Sequence, residues 1–354
     1  MNLHVGVPKE SKPLEGRVAL TPAAVAELAR RGARMGIERG AGTGSGYADA
    51  DYAAAGAQLL ADADALYDWA QLVVKVKEPV GEEIDRLKPE HLLFCYLHLA
   101  ANPTLTERLC EIGLTAVAFE TVADRGRLPI LVPMSDIAGR IAIQVGAHLL
   151  HTPQGGRGIL LGGLASVERG RVVVLGAGTA GGASVRAAAA LGANVTVFDR
   201  NPHQLEAMHR VAPNVTALIA TDAAVEEAVA AADLLVGAVL LPGAAAPRVV
   251  SRKQVARMRP GSVIADISVD QGGCIETTRA STYDAPTYVE EGVQHFCVTN
   301  MPGAVPRSAT QALSAAMLPY LEALLREDWR SDPRLSAAVN VSGGEVVLAA
   351  LRGD

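Results

Sequence analysis

Four ionisable residues, Arg17, Lys77, His98 and Asp270, have the types needed for acid–base chemistry on a small anionic substrate. Lys77 and His98 each follow an apolar run of strand character, at 72–76 and 92–97. Asp270 follows another, at 262–268, and Arg17 lies in the loop after a first strand at 3–7. The carboxyl ends of parallel strands are where α/β sheets place their ligands. An arginine fork binds a carboxylate through two parallel hydrogen bonds, and histidine is the side chain suited to proton transfer near neutral pH. Three such residues from two sheets could converge on a cleft, a common place for small-molecule sites. Each also has a structural reading. A lysine past a strand is ordinarily a solvated charge, and Asp270 suits a cap on the Gly272-Gly273 turn.

A second constellation concerns phosphate. The apolar run 172–175 passes straight into Gly176-Ala177-Gly178-Thr179-Ala180-Gly181, which opens a helix continuing to about 191. This is G-x-G-x-x-G in the strand–turn–helix context it requires. Its glycines allow a tight turn and close approach of a pyrophosphate, and the unpaired amides of the helix start face the negative charge. The next strand, 194–198, ends in Asp199, near the spacing of about 20 residues at which a carboxylate accepts from the adenosine ribose. A carboxylate there repels a 2′-phosphate, so NAD is favoured over NADP, with the adjacent Arg200 acting weakly in the other direction. The alternative is a glycine turn that merely packs helix on strand.

His148 and His151 fall on adjacent helical turns without an acidic or thiol partner nearby in sequence, so they read as structural and no metal is expected. Cys95, Cys110, Cys274 and Cys297 are far apart and form no C-x-x-C pair. They read as reduced thiols in a cytosol rather than as a disulfide framework or nucleophiles.

The elements that must position these residues alternate strand and helix. In the first 130 residues the apolar runs 3–7, 72–76, 92–97 and 115–119 are the right length for strands buried on both faces. The segment 21–31 reads as a helix with Thr21 as N-cap and Pro22 at its first position. From Ser135 a long helix leads to a glycine-dense stretch at 155–163, and a second strand–helix alternation runs from 171 to about 298. In the last helix, 309–325, Leu313, Met317, Tyr320, Leu321 and Leu324 share one face, which is expected to return to the first domain. The pattern predicts an α/β protein with parallel sheets and two domains, since single cores stop growing at roughly 250–300 residues. The net charge of -6, with no dense basic cluster, leaves no footprint for nucleic acid or anionic lipid. The apolar runs fall short of the ~20 residues needed to span a bilayer, and the N-terminus lacks a basic region followed by an apolar stretch. A soluble, cytoplasmic chain is expected.

The segments VGVPKE at 5–10, RVALTP at 17–22, VKVKEP at 74–79, YLHLA at 96–100, PMSDIAGR at 133–140 and GGRGILLGG at 155–163 resemble the alanine dehydrogenase and pyridine nucleotide transhydrogenase family. So do VLGAGTAG at 174–181, GAVLLPG at 237–243, DISVDQGGC at 266–274 and NMPGAVP at 300–306. The resemblance is closest to its alanine dehydrogenase branch. It implies two Rossmann-like domains with mostly parallel, doubly wound sheets: a discontinuous substrate domain of residues 1–130 plus 303–354, and an NAD domain of residues 131–302. By the same resemblance His98 and Asp270 would be the catalytic pair. Arg17 and Lys77 would bind the substrate, with Asn300 beside it or the cofactor. Ser135, Thr179, Ala180, Asp199, Val239, Leu240, Ile267, Ser268, Val269, Asp270, Val298, Asn300 and Met301 would line the NAD site with Gly176, Gly178 and Gly181.

The reaction implied converts L-alanine, NAD and water to pyruvate, ammonium and NADH in a homohexamer. Ala220 stands where some relatives carry a hydroxyl near the adenosine, and the C-terminal extension of many relatives is shortened here. A transhydrogenase subunit and a non-catalytic NAD-binding regulator are the competing readings; the first leaves His98 and Asp270 unexplained, and the intact ionisable residues in both domains argue against the second.

Overall fold

The computed structural model describes residues 3–239 and 246–352. Leu240, expected beside the cofactor, lies outside them. The chain divides into two compact units, Met1–Met134 with Val305–Asp354, and Ser135–Ala304.

The first unit holds an eight-stranded sheet. Its strands are β1 (His4–Val7), β2 (Arg34–Glu38), β3 (Gln58–Leu60), β4 (Leu72–Val74), β5 (Leu92–Cys95) and β6 (Thr115–Ala118). The second holds seven strands, β7 (Arg171–Leu175), β8 (Asn194–Asp199), β9 (Val215–Ile219), β10 (Leu234–Gly237), β11 (Val263–Asp266), β12 (Thr287–Glu290) and β13 (Val293–Phe296). The chain then returns to the first sheet with β14 (Val339–Ser342) and β15 (Glu345–Val346). The orders are β15-β14-β6-β5-β4-β1-β2-β3 and β12-β13-β11-β10-β7-β8-β9. Pairing is parallel throughout except where β12 meets β13 and where β14 meets β6 and β15. Both sheets reverse direction beside their first strand, β1 or β7, the doubly wound arrangement.

The central strands β4, β10 and β11 are buried at every residue, as parallel strands covered on both faces must be. The short strands β2, β3, β9 and β12–β15 have no long apolar run, so the sequence pattern does not mark them. Four helices bear on function: α1 (Pro22–Arg30), α2 (Val132–Leu149), α3 (Thr179–Ala190) and α4 (Pro306–Leu324). Thr21 caps α1 by accepting from Ala24 N at 3.3 Å. The apolar face of α4 is buried in the first unit, where Thr310 Oγ1 accepts from Val18 N and Ser314 Oγ from Thr21 N.

The strands end earlier than their apolar runs. β4 stops at Val74, β5 at Cys95 and β11 at Asp266. Lys77 and His98 therefore stand in loops three residues beyond a strand, and Asp270 sits on a 3-10 turn, Ile267–Gln271. The physical reason is local. After one more pairing between β4 and β5, Lys75 N to Phe94 O and Tyr96 N to Val76 O, carboxylates take over: Glu10 accepts from Val76 N and Lys77 N, Glu120 from Leu97 N and His98 N, and Asp266 from Ser268 N.

Candidate functional site

In the first unit Arg17 is buried, and Glu15 accepts from its Nε at 2.6 Å and its Nη2 at 2.5 Å. Arg17 Nη1 reaches Met134 Sδ at 3.3 Å. Burial alone would weaken the Arg17 charge, but the Glu15 hydrogen bonds and charge outweigh it and hold its pKa above the ordinary value. Lys77 has the opposite balance. Burial and then the nearby Arg17 charge push its pKa down. Lys77 and the Glu15-paired Arg17 thus lie within electrostatic reach of each other in a largely dry corner.

His98 adopts the left-handed conformation, φ 49° and ψ 40°, uncommon outside glycine. Two backbone hydrogen bonds to Glu120 hold it, from His98 N at 2.6 Å and from Leu97 N at 3.2 Å. Its ring stacks on Tyr96 with centroids 5.7 Å apart, its Nδ1 lies 4.0 Å from Glu120 Oε1, and it stays exposed. Tyr96 is buried, donates to Ile130 O at 2.8 Å and borders Arg17. Arg17, Lys77 and His98 therefore occupy one corner of this unit.

In the second unit the glycine turn is built as the motif requires. Gly176 has φ 94°, and a Cβ there would stand 2.5 Å from Ala238 O. At Gly181 a Cβ would stand 1.8 Å from Gly176 O, so the third glycine lets α3 close on the turn. A Cβ on Gly178 would meet nothing within 4 Å, and Gly178 caps α3 without a side-chain bond. The start of α3 is open, with its first amides available for an anion. Asp199 closes the turn from the next strand, with Oδ2 accepting from Ala177 N at 2.6 Å and Oδ1 from Asn201 N at 2.7 Å. Ala220 N donates to Asp199 O at 3.1 Å, a backbone contact that its missing hydroxyl does not affect. Helix α2 brings Ser135 to the same region, because Gly139 packs on Ala180 and accepts from Ser184 Oγ at 3.0 Å.

The loop bearing Asp270 is tied to this turn and organised by Asp266. Ser268 Oγ donates to Val239 O at 2.8 Å. The buried Asp266 accepts from Ser268 N and Cys274 N, both at 2.9 Å, and from Thr278 Oγ1 at 2.7 Å. Asp270 itself is exposed, while Ser268 and Val269 are buried. Val298 and Met301 are buried at the end of the last crossover, where Met301 O accepts from Tyr283 Oη at 2.7 Å. Asn300 between them has φ 59° and its carbonyl accepts from Gly303 N at 2.9 Å, the turn that asparagine favours.

Glu15 contacts Arg17, Tyr96 and Glu120 contact His98, and Asp266 organises the Asp270 loop, none of which sequence reasoning singles out. Glu15 and Glu120 carry a faint signal, an acid two residues before Arg17 and an acid ending a predicted strand. Among the described residues no group of three or more His, Cys, Asp or Glu is placed to hold a metal ion, and no helix is long and apolar enough to cross a membrane.

Residues 6–138 match the family model described as alanine dehydrogenase/PNT, N-terminal domain, and residues 142–349 match its C-terminal domain. The alanine dehydrogenase of Halomonas elongata is 47% identical over 99% of this chain and 96% of its own length. A solved structure titled L-alanine dehydrogenase superposes with a TM-score of 0.96 at 46% identity, covering 99% of this chain and 98% of that one. A transhydrogenase from Sinorhizobium meliloti superposes less closely, with a TM-score of 0.86 at 28% identity over 98% of this chain and 99% of that one. On these matches over almost its entire length, the chain belongs to the alanine dehydrogenase/PNT family.

Proposed function

We propose that this chain is an NAD-dependent alanine dehydrogenase, converting L-alanine, NAD and water reversibly to pyruvate, ammonium, NADH and a proton. The observation that carries this reading over a transhydrogenase is the corner formed by Arg17, Lys77 and His98: two buried or half-buried cations beside an exposed imidazole. A protein that only passes hydride between nucleotides needs no such site. The first unit then serves as substrate domain and the second as NAD domain, in a homohexamer in the cytosol.

The second unit fits a dinucleotide. The open start of α3, the Gly176 turn and the Asp199 carboxylate supply the three groups a pyrophosphate and an adenosine ribose require. Ser135, Thr179, Ala180, Val239, the segment 267–269, Val298, Asn300 and Met301 would line the remainder. NAD, when bound, accepts a hydride equivalent from the substrate.

The chain's own residues do the rest. Arg17 and Lys77 hold the substrate carboxylate and 2-oxo oxygen, which fixes the substrate's orientation. A dry corner strengthens that grip because water does not screen it. His98 takes the proton from the water that adds at Cα and returns one to the departing nitrogen, the work of a general acid–base. Asp270 orients that nitrogen. A panel of small 2-oxo acids assayed with ammonium and NADH at the nicotinamide absorbance tests the reading. Pyruvate should be the best substrate, and no turnover with any member would overturn it.

A further inference from the structure

Beneath the loop that carries Lys77 lie three more ionisable groups that the chemistry above does not use. Lys75 is fully buried, as is the Glu10 side chain, and Glu83 is nearly so. Lys75 Nζ stands 3.3 Å from Glu10 Oε2 and 3.2 Å from Glu83 Oε2. A buried ion cluster of this kind is a poor source of stability, because apolar side chains of the same volume often do as well. Its geometry indicates another use. Glu10 accepts from Val76 N at 2.6 Å and from Lys77 N at 3.2 Å. Lys75 Nζ donates to Lys77 O at 3.0 Å. The N–H and the C=O of Lys77 are thus both gripped by buried charged side chains, one from the loop after β1 and one from its own loop. Glu83 acts one step further on, accepting from Val80 N at 2.9 Å without touching the Lys77 peptide.

Backbone held in this way has little freedom. A hydrogen bond to an ionised group is about twice as strong as a neutral one, and the loop's pairing with the neighbouring strand ends at Lys75 N to Phe94 O and Tyr96 N to Val76 O, one step short of Lys77. Pro79 follows and cannot donate, so side chains must satisfy this stretch. The Lys77 side chain pivots on the clamped peptide, and a substrate contact made by a long flexible lysine depends on where that pivot stands.

We infer that Glu10 and Lys75 are positioning residues for Lys77, setting its ammonium where a substrate carboxylate or 2-oxo oxygen is received. The inference rests on the substrate-binding role proposed above for Lys77. It explains why two carboxylates and a lysine are buried where three apolar side chains would pack. Burial pushes the Glu10 pKa up, while the two carboxylates outweigh the burial of Lys75 and keep it charged.

Glu10→Gln tests this against Glu83→Gln. Each removes one charge from the cluster and leaves Lys75 one carboxylate partner, so a general loss of stability affects both. Only Glu10→Gln sets an amide donor against the peptide N–H groups of Val76 and Lys77, because one amide oxygen cannot take the place of the two carboxylate oxygens that accept from them. The pyruvate KM of Glu10→Gln should rise at least about fivefold above that of Glu83→Gln, with the Kd for NADH of both within about twofold of wild type. Should Glu10→Gln fail to fold, Glu10→Asp keeps the charge but shortens the reach, and the same KM rise is expected there. Equal KM changes in the Glu10 and Glu83 variants, or a loss of NADH binding in step with KM, would overturn the inference. A wild-type enzyme inactive with pyruvate would instead sink the functional reading on which it rests.

Discussion

Replacing Asp199 with alanine removes two hydrogen bonds seen in the structure, from Ala177 N at 2.6 Å and Asn201 N at 2.7 Å. Hydrogen bonds to an ionised acceptor contribute about 1.5–3 kcal/mol each when buried. Asp199 is half-buried, and both freed N–H groups can turn to water, so about 1 kcal/mol each is the reasonable loss. Roughly 2 kcal/mol in a unit of this size corresponds to a fall in Tm of about 4–8 °C. The proposed ribose contact is lost as well, and another charge-assisted bond at the upper end of that range adds at least about tenfold to the Kd for NADH. Repulsion of a 2′-phosphate disappears at the same time, so NADPH loses far less and the NADH preference shrinks by at least about tenfold. Asp199→Asn keeps one of the two acceptors and should recover about half of the Tm loss but not the selectivity. Fluorescence titration with both reduced nucleotides, alongside thermal unfolding, separates the two effects. An Asp199→Ala protein that keeps the wild-type NADH over NADPH ratio would refute the ribose role of Asp199.

Arg17→Ala and Lys77→Ala should each lower kcat/KM for pyruvate at least about tenfold, from the loss of a charge-assisted contact, with the Kd for NADH unchanged; a variant that lost NADH affinity instead would contradict the assignment. Because burial and Arg17 push the Lys77 pKa down, its ammonium is lost at lower pH than an ordinary lysine's. The pyruvate KM of the wild type should therefore climb as pH rises through that ionisation, and Lys77→Arg should keep KM flat over the same range. Gly181→Ala places a Cβ 1.8 Å from Gly176 O, an overpacking that costs about 1–3 kcal/mol or more; calorimetry should show a lower Tm, and NADH titration a weaker complex.

Much of the second unit is legible because its chemistry is written in consecutive residues. The glycines at 176, 178 and 181 carry their conformational requirement in their type, and Asp199 follows at a spacing set by one helix and one strand. The first unit is legible only as positions. An apolar run marks a strand but not its last residue, and just past β4 and β5 Glu10 and Glu120 capture the N–H groups of Val76, Lys77, Leu97 and His98. Those carboxylates lie 66 and 23 residues away from the groups they capture, a distance at which periodicity says nothing. The left-handed turn at His98 is equally invisible beforehand, since it follows from the Glu120 contact rather than from any glycine or proline. Asp266 reads in the sequence as part of a strand, and its part in folding the Asp270 loop emerges only when Cys274 and Thr278 are seen to converge on it.

The proposed chemistry stands or falls on His98 moving the proton that the oxidation of alanine requires. Pyruvate reduction by wild type and His98→Ala should be compared across pH, with ammonium and NADH saturating and NADH binding measured in parallel. His98→Ala should bind NADH normally, lose at least ~10²-fold in turnover and lose one ionisation from the wild-type pH profile. A His98→Ala protein with near-wild-type turnover and an unchanged profile would contradict that role.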